Sequence, residues 1–476
     1  MGDLKSRRAK QQQQLIALIA ILVVTLFIIV GIIISIVISN SKPADSTQAG
    51  SIVSSEEQAA QREAARQALI AEADYLALTY DYDAAIAKIK EWPGYEEEEE
   101  LLSKIDHYQT DKNRCVKVDI DEVTHIFYHS LVVDPERCFD PNDTKGRGNN
   151  EWMTTISEFN KITQEMYDRG YVLVSIHDLY NITTDENGNQ VMEKGTIMLP
   201  EGKKAFVLSL DDLSYYHSYD GYGFASKLYV DENGDLMNEY IDADGKVHYG
   251  AYDCVPLLDK FIEEHPDASY RGAKGTVALT GYNGIFGYRT DESYTFDNID
   301  NPNYKLDKDK EKWLKEHPDF NLEEERAAAK EVADAMKAKG WTFASHTWGH
   351  LSVGNKALSS LQTDNEKWQR NVASIVGETN VIIFAHGQDL GSWGNYDEAN
   401  EKVKYFKEQG FNVFCNVDGS KQYLSWFGKD YFRQGRRNLD GIRMWYNLQG
   451  TQDNLSDLFD VEEVVDPLRP GMDVYN

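Results

Sequence analysis

The sequence is poor in cysteine and in positive charge, and both shortages limit what the protein can do. Its four cysteines, Cys115, Cys138, Cys254 and Cys415, form no Cys-x-x-Cys pair, which excludes a zinc ribbon. They allow three complete disulfide pairings, but Cys254 and Cys415 lie in amphipathic or apolar stretches, where a buried free thiol is expected. Lysine and arginine number 49 against 79 acidic residues, so the formal net charge is -30. Because phosphate binding needs a basic face, this composition argues against a nucleic-acid partner.

The N-terminal residues have the composition of a membrane anchor. Basic residues within 1–14 precede an uncharged apolar run, which predicts a transmembrane helix over 15–39. About 24 helical residues span roughly 36 Å, enough to cross a bilayer with some tilt. The run is long for a secretory signal peptide and lacks a good Ala-x-Ala cleavage site. We therefore expect a cytoplasmic tail at 1–14, a single-pass anchor at the cell membrane, a flexible linker over 40–58 and an extracellular remainder.

Residues 59–113 have a helical pattern of their own. They are rich in Ala, Leu and Glu, their apolar residues recur at helical spacing, and Pro93-Gly94 interrupts the pattern. This predicts a short helical hairpin. Part of it, "ALTYDYDAAIAKI", resembles one tetratricopeptide unit, but a single unit cannot bury its own apolar face. We interpret the hairpin as a stalk or spacer, with recruitment of a protein partner as the alternative.

From residue 115 to residue 476, short apolar strands alternate with amphipathic helices. The strand candidates include "VTHIFYHSL", "KAFVLSLDD", "WTFASHT", "NVIIFAHG" and "GIRMWY". This alternation predicts an α/β fold with a parallel sheet covered by helices, and its seven or eight repeats favour a distorted (β/α) barrel. In such barrels the active site lies at the C-terminal ends of the strands.

Three polar, turn-rich stretches interrupt this alternation and are interpreted as hairpin insertions. Their Asn-Gly and Asp-Gly dipeptides favour tight turns. In one of them, Asp231, Asn233 and Asp235 are spaced like the start of a calcium loop. The glycine at the sixth position and the closing glutamate of such a loop are missing, which favours the hairpin.

Ionisable side chains end several of the predicted strands. The residues in these positions are His129, Asp211, Asp212, His346 and His386. In a barrel these strand ends meet at one mouth. His346 and His350 lie four apart, so both can reach one metal ion, and a carboxylate from another strand would complete a site of three protein ligands. A solvated turn is the alternative for the aspartate pair, although the residues before it are nearly all apolar.

Two short stretches, "AFVLSLDD" and "SHTWGH", resemble the polysaccharide deacetylases of carbohydrate esterase family four, the NodB-homology domain. Residues 209–213 stand where that family has Thr-Phe-Asp-Asp-Gly, and residues 346–350 match its His-[Ser/Thr]-x-x-His motif in full. The stretches "HIFYHSL" and "SEFNKITQEMYDRGYVLVSIHDL" look like the branch that deacetylates poly-N-acetylglucosamine. The resemblance covers about residues 120–450.

The resemblance implies a ligand set and a reaction. Asp212, His346 and His350 would hold a divalent metal, usually Zn2+, and Asp211 would be the general base. An amide is a poor electrophile, so a metal that polarises its carbonyl and a carboxylate that takes a proton from water suit its hydrolysis. The products would be acetate and a free amino sugar.

The sequence departs from the family pattern where the general acid is expected. Leu213 replaces the glycine of the first motif, the third motif appears only as "AHGQDLG", and no histidine follows His386. The poly-N-acetylglucosamine branch resembles a circular permutation of the family, which suggests that His129 on the first strand replaces the missing histidine. His386 is the competing general acid, and a structural role for His129 is a further alternative.

These features predict a membrane-anchored, extracellular, metal-dependent hydrolase that deacetylates an N-acetylated polysaccharide. The substrate would be peptidoglycan or a glycan like poly-N-acetylglucosamine. The alternative is a catalytically weak glycan-binding or envelope scaffold protein on the same fold.

Overall fold

The computed structural model describes residues 55–299, 301, 306–419 and 423–475. The predicted basic tail (1–14), the predicted transmembrane helix (15–39) and most of the predicted linker lie outside the described residues. Among the helices that are described, none is long and apolar enough to span a bilayer. The chain divides after Arg114 into two units.

The described part of the first unit contains three α-helices where the sequence predicted a hairpin of two. They span Ser55–Leu78, Tyr82–Lys90 and Glu99–Asn113. The break at Pro93-Gly94 is confirmed, but a second break follows Leu78. There Tyr80 takes a left-handed conformation with φ 67°, and the Asp81 side chain caps the next helix by accepting the Ala84 N–H at 3.3 Å. The helices share a small apolar core, formed by Ile70, Ala73, Ala85, Ile89, Trp92, Leu101 and Tyr108.

The described part of the second unit contains sixteen strands. They are β1 (Cys115–Lys117), β2 (Thr124–Tyr128), β3 (Tyr171–Leu173), β4 (Tyr180–Thr184), β5 (Gln190–Lys194), β6 (Met198–Pro200), β7 (Lys204–Asp211), β8 (Ala225–Val230), β9 (Leu236–Ile241), β10 (Val247–Gly250), β11 (Thr276–Leu279), β12 (Thr342–Ser345), β13 (Val381–Ile383), β14 (Val413–Val417), β15 (Ser425–Phe427) and β16 (Phe432–Asn438).

Seven parallel strands close into a barrel, which confirms the predicted α/β barrel. Their order is β11-β12-β13-β14-β16-β2-β7, and β7 closes the ring by pairing with β11. The first half of β7 pairs with β3, and its second half pairs with β11. The short strand β15 runs antiparallel to β16. All seven strands therefore end at the same mouth of the barrel.

Helices of the second unit cover the barrel. They span Pro135–Cys138, Gly146–Trp152, Ile156–Asp168, Cys254–Glu264, Lys308–Glu316, Leu322–Ala338, Leu358–Trp368, Ser374–Val376, Glu401–Glu408, Gly441–Leu448 and Val461–Val464. The helix over 322–338 is typical: the Asn321 side chain caps its N-terminus. Its buried face, Ala329, Val332, Ala333 and Met336, belongs to the main apolar core.

One predicted strand is a helix, and one strand of the barrel was missed. The stretch "GIRMWY" forms the start of the helix Gly441–Leu448, because the Asp440 side chain caps it by accepting the Arg443 N–H at 3.1 Å. The strand that closes this side of the barrel is instead β16, with the sequence "FRQGRRN". The polar side chains of this stretch do not indicate burial in the sequence, but every residue of β16 is buried in the structure.

Two of the three turn-rich insertions are hairpins, and the third, over 282–320, instead contains the helix Lys308–Glu316. Strands β4 and β5 form one hairpin, and β8, β9 and β10 form a three-stranded antiparallel sheet. At the tip of the β8–β9 hairpin, the Asp231 carboxylate accepts the N–H of Asn233 at 2.8 Å and of Asp235 at 2.9 Å. This oxygen is occupied by the backbone of the turn, which agrees with a hairpin rather than a calcium loop.

All four cysteines are free thiols. Cys254 and Cys415 are buried, as the apolar stretches around them predicted, and Cys138 is buried as well. Burial raises the pKa of Cys415 to about 12, so this thiol is unreactive at neutral pH.

Candidate active site

A cavity of about 500 Å³ opens at the mouth of the barrel. It brings together all six residues that the sequence singled out: His129, Asp211, Asp212, His346, His350 and His386. They come from the ends of β2, β7, β12 and β13 and from the loop after β12. The parallel topology of the barrel therefore assembles residues that are up to about 250 positions apart in sequence.

Asp212, His346 and His350 form a group that could hold a metal ion. One ligand atom from each lies within 4.8 Å of the others, and His350 Nε2 is 3.5 Å from Asp212 Oδ2. The buried His346 donates from Nδ1 to the Ile383 carbonyl at 2.7 Å, which leaves Nε2 as its free ligand atom. Two imidazoles and one carboxylate fit Zn2+ and leave coordination positions open for substrate and water.

The backbone around this group is held in unusual conformations. Eight described residues other than glycine have positive φ, and five of them lie in or beside the cavity: Asp212, Tyr215, Thr347, His350 and His386, with φ between 47° and 62°. Such conformations cost of order 1–3 kcal/mol each and persist only where the surroundings impose them. Their clustering here supports a functional role for the cavity.

Two buried carboxylates fix the loop between the histidines. Asp364 accepts the backbone N–H of Trp348 at 2.7 Å and of Gly349 at 2.8 Å. Asp291 accepts the Trp348 indole N–H at 2.7 Å. These bonds hold His346 and His350 in one arrangement before any metal binds.

Arg436 on β16 is the main site residue that the sequence analysis missed. Its fully buried guanidinium donates to both oxygens of Asp211, at 2.7 and 2.9 Å. Burial favours the neutral acid, but the charge of Arg436 outweighs it and holds the pKa of Asp211 well below its usual range. Asp211 is therefore an ionised carboxylate, able to accept a proton.

A buried hydrogen-bonded chain inside the barrel supports Arg436. Arg436 donates to Ser209 Oγ at 3.0 Å, and the Ser209 hydroxyl lies 2.9 Å from His125 Nε2. His125 Nδ1 is 3.0 Å from Gln434 Oε1. Burial, with the charge of Arg436, lowers the pKa of His125 to about 3. The neutral ring therefore donates from Nδ1 and accepts from Ser209. The stretch "FRQGRRN" places three arginines close together, but its composition does not indicate that they are buried.

His129 and His386 lie on different sides of the cavity. His129 is half-buried at the end of β2, where its charge would interact with those of Asp211 and Asp440. Burial raises the pKa of Asp440. His386 is exposed, its ring centre is 4.3 Å from that of His350, and its Nε2 is 3.2 Å from the His350 carbonyl. His129 therefore lies near the two carboxylates, and His386 lies against a candidate metal ligand.

An aromatic wall forms much of the rest of the cavity. Its members are Phe127, Trp152, Tyr215, Tyr216, Tyr219 and Phe224. The Tyr216 hydroxyl donates to Asp212 Oδ1 at 3.1 Å. The Tyr216 ring stacks on the Tyr282 ring, and the two ring centres are 5.5 Å apart. Four of the wall's six members, Tyr215, Tyr216, Tyr219 and Phe224, come from the tyrosine-rich stretch "SYYHSYDGYGF" after Leu213. Aromatic walls with a few placed polar groups are typical of ligand sites.

Comparisons with known proteins give one distant likeness. No family model and no curated protein matches the chain. Among solved structures, the chain is similar to the Streptococcus pyogenes deacetylase PplD in complex with acetate. The two are 14% identical with a TM-score of 0.33, over 71% of this chain and 99% of that chain.

Proposed function

We propose that this protein is a metal-dependent N-deacetylase that removes acetyl groups from an N-acetylated polysaccharide. The observation that carries the proposal is the grouping of Asp212, His346 and His350 within 4.8 Å, beside the ionised Asp211 in one aromatic cavity. The motif resemblance of residues 209–213 and 346–350 supports the same reaction. Zn2+ is the proposed metal, and peptidoglycan or a glycan like poly-N-acetylglucosamine is the proposed substrate.

Each side chain has a role in the proposed reaction. When bound, the metal supplies a Lewis acid for the acetamide carbonyl and a water of lowered pKa. Asp211 takes a proton from the attacking water, and Arg436 keeps that carboxylate ionised and oriented. His129 gives a proton to the nitrogen of the departing amino sugar. The buried members of the aromatic wall, Phe127, Tyr215 and Phe224, exclude bulk water from the reacting groups.

The test of this function is acetate release. Purified protein should release acetate from N-acetyl-chitooligosaccharides or from peptidoglycan, the release should stop with a chelator, and added Zn2+ should restore it. Binding of these glycans without acetate release would instead support the glycan-binding or scaffold alternative.

We also propose that the N-terminal segment anchors the protein with residues after 40 outside the cell. Protease added to intact cells should then digest the chain, and full protection would contradict this location.

We expect His129, rather than His386, to be the general acid. His129→Ala should lower kcat by about 10²–10⁴, the usual contribution of a general acid. It should also remove the basic limb of the pH–rate profile, because no group is left to hold the proton that the amine needs. His386→Ala should keep that limb, since His386 lies against His350. The measurement is kcat between pH 5 and 9 for both variants. Loss of the basic limb in His386→Ala alone would assign the role to His386.

A further inference from the structure

Trp152 is the one cavity-lining aromatic residue that is strongly exposed. The residue is 49% exposed, it ends the helix Gly146–Trp152, and it lines the cavity together with Met153. No described residue accepts a hydrogen bond from its indole N–H. Burial of apolar surface stabilises a fold by about 25 cal/mol per Å², and an exposed indole does not contribute this free energy. Its position therefore favours a role in ligand binding over a role in packing.

The helix that carries Trp152 is rigidly attached to the barrel. Two residues of this helix, Asn149 and Asn150, have buried polar side chains. Asn149 donates to the Cys138 carbonyl at 3.1 Å, and Asn150 donates to the Pro470 carbonyl at 2.9 Å. Buried amides whose hydrogen bonds are made give one defined position rather than a mobile loop.

Arg469 fixes the chain on both sides of Trp152. It donates to the Asn150 carbonyl at 2.8 Å and to the Met153 carbonyl at 2.9 Å. It also forms a buried ion pair with Glu158, at 2.7 and 2.6 Å. The buried Arg469 guanidinium thus binds the backbone on both sides of Trp152, and it also binds Glu158 near the start of the next helix.

This arrangement presents a flat apolar surface in a fixed position at the edge of the cavity. Pyranose rings with equatorial substituents have an apolar C–H face that packs on aromatic rings, and a ligand gains affinity when the residue that binds it is already ordered. The cavity of about 500 Å³ is in the range of sites for ligands larger than one sugar. The acetamide at the metal ligands and a ring on Trp152 would then belong to different sugar units.

We propose that Trp152 forms a second sugar subsite, which binds the pyranose ring next to the unit whose acetamide lies at Asp212, His346 and His350. The protein would therefore select N-acetylhexosamine oligomers over the free monosaccharide. This inference rests on the proposed function for the identity of the reaction, but its binding step can be measured separately.

The test uses Trp152→Ala, with N-acetyl-chitotetraose and N-acetylglucosamine as probes. For the tetramer, KM should rise about tenfold, in line with the contribution of aromatic stacking to other ring ligands, while kcat changes less than twofold. The ratio of kcat/KM between tetramer and monomer should fall by the same factor. Trp152→Phe should restore most of the tetramer affinity. Trp426→Ala is the matched control, because Trp426 is 37% exposed on β15 and does not line the cavity.

Tryptophan fluorescence separates this inference from the proposed function. In the apoprotein, the tetramer should change the emission of wild type and of Trp426→Ala, and should change it little in Trp152→Ala. An unchanged tetramer KM and an unchanged fluorescence response in Trp152→Ala would overturn the subsite. A Trp152-dependent fluorescence response in a protein that releases no acetate would keep the subsite and overturn the deacetylase.

Discussion

Replacing Asp211 by asparagine should leave a protein that binds metal and has almost no turnover. The ionised carboxylate is the only proposed acceptor for the proton of the attacking water, and a general base contributes about 10²–10⁴ in rate. Asparagine has nearly the same shape but no proton affinity near neutral pH. Since Asp211 is not among the three grouped ligand residues, zinc content should stay at one per chain. The measurements are kcat for acetate release and zinc content after dialysis.

The same change also breaks a buried ion pair, so its effect on folding needs a control. Asparagine would place an N–H group against the Arg436 guanidinium, and loss of one partner of a buried pair destabilises by about 3–5 kcal/mol. Arg437, the next residue of β16, forms a bidentate pair with Asp457 at 2.9 and 2.7 Å. Asp457 does not line the cavity. Asp457→Asn should therefore lower Tm in a similar way and keep normal turnover.

The stability effect of Asp211→Asn should depend on pH in a defined direction. The pKa of Asp211 in the folded protein lies below the value of about 3.9 in an unfolded chain. The ion pair thus stabilises the fold fully above that value, and its contribution is lost as the pH falls toward the folded pKa. The Tm difference between wild type and Asp211→Asn should be constant from pH 6 to 8 and should shrink at low pH. Normal turnover in Asp211→Asn, or loss of its zinc, would contradict the assignment as base.

The sequence predicted the parts of the site that lie at strand ends. Asp211, Asp212 and His346 each follow a short apolar run, and parallel strands that close into a barrel must bring such ends together. His350 follows from its spacing of four residues from His346. These predictions depend only on local pattern and on the rule that parallel strands share one mouth, so they can be made from the sequence alone.

Arg436 could not be predicted in the same way, because its burial is a property of the whole barrel. The stretch "FRQGRRN" has three arginines in seven residues and resembles a surface segment by composition. In the structure each arginine has its own carboxylate partner, at Asp389, Asp211 and Asp457. Burial of a charge is tolerated only when such a partner is present, and the partners are distant in sequence. The aromatic wall was missed for a similar reason, since a tyrosine-rich loop gives no sign of the cavity it faces.

Removing a histidine from the candidate metal group should abolish both metal binding and turnover. His346→Ala and His350→Ala each leave two protein ligands, too few for a stable zinc site with open positions. Wild type should hold one zinc per chain, and Zn2+ at 100 times its Kd should stabilise the fold by about 2.7 kcal/mol. Both variants should lose this stabilisation and the bound zinc. The measurements are metal content per chain after dialysis and Tm with and without Zn2+.

The two variants should differ in their effect on the apoprotein, and this difference tests whether metal loss is specific. His346 is buried and donates to the Ile383 carbonyl, so its removal leaves a buried acceptor unpaired, at about 1–3 kcal/mol. His350 is 27% exposed, so His350→Ala should keep the apoprotein Tm close to wild type. His248→Ala is the control for adventitious binding, because His248 pairs with Asp242 at 2.7 Å on an exposed hairpin. One tight zinc retained in His346→Ala, or lost in His248→Ala, would place the metal elsewhere. Loss of zinc from the well-folded His350→Ala protein, with zinc retained by His248→Ala, is the result that the geometry of the barrel mouth predicts.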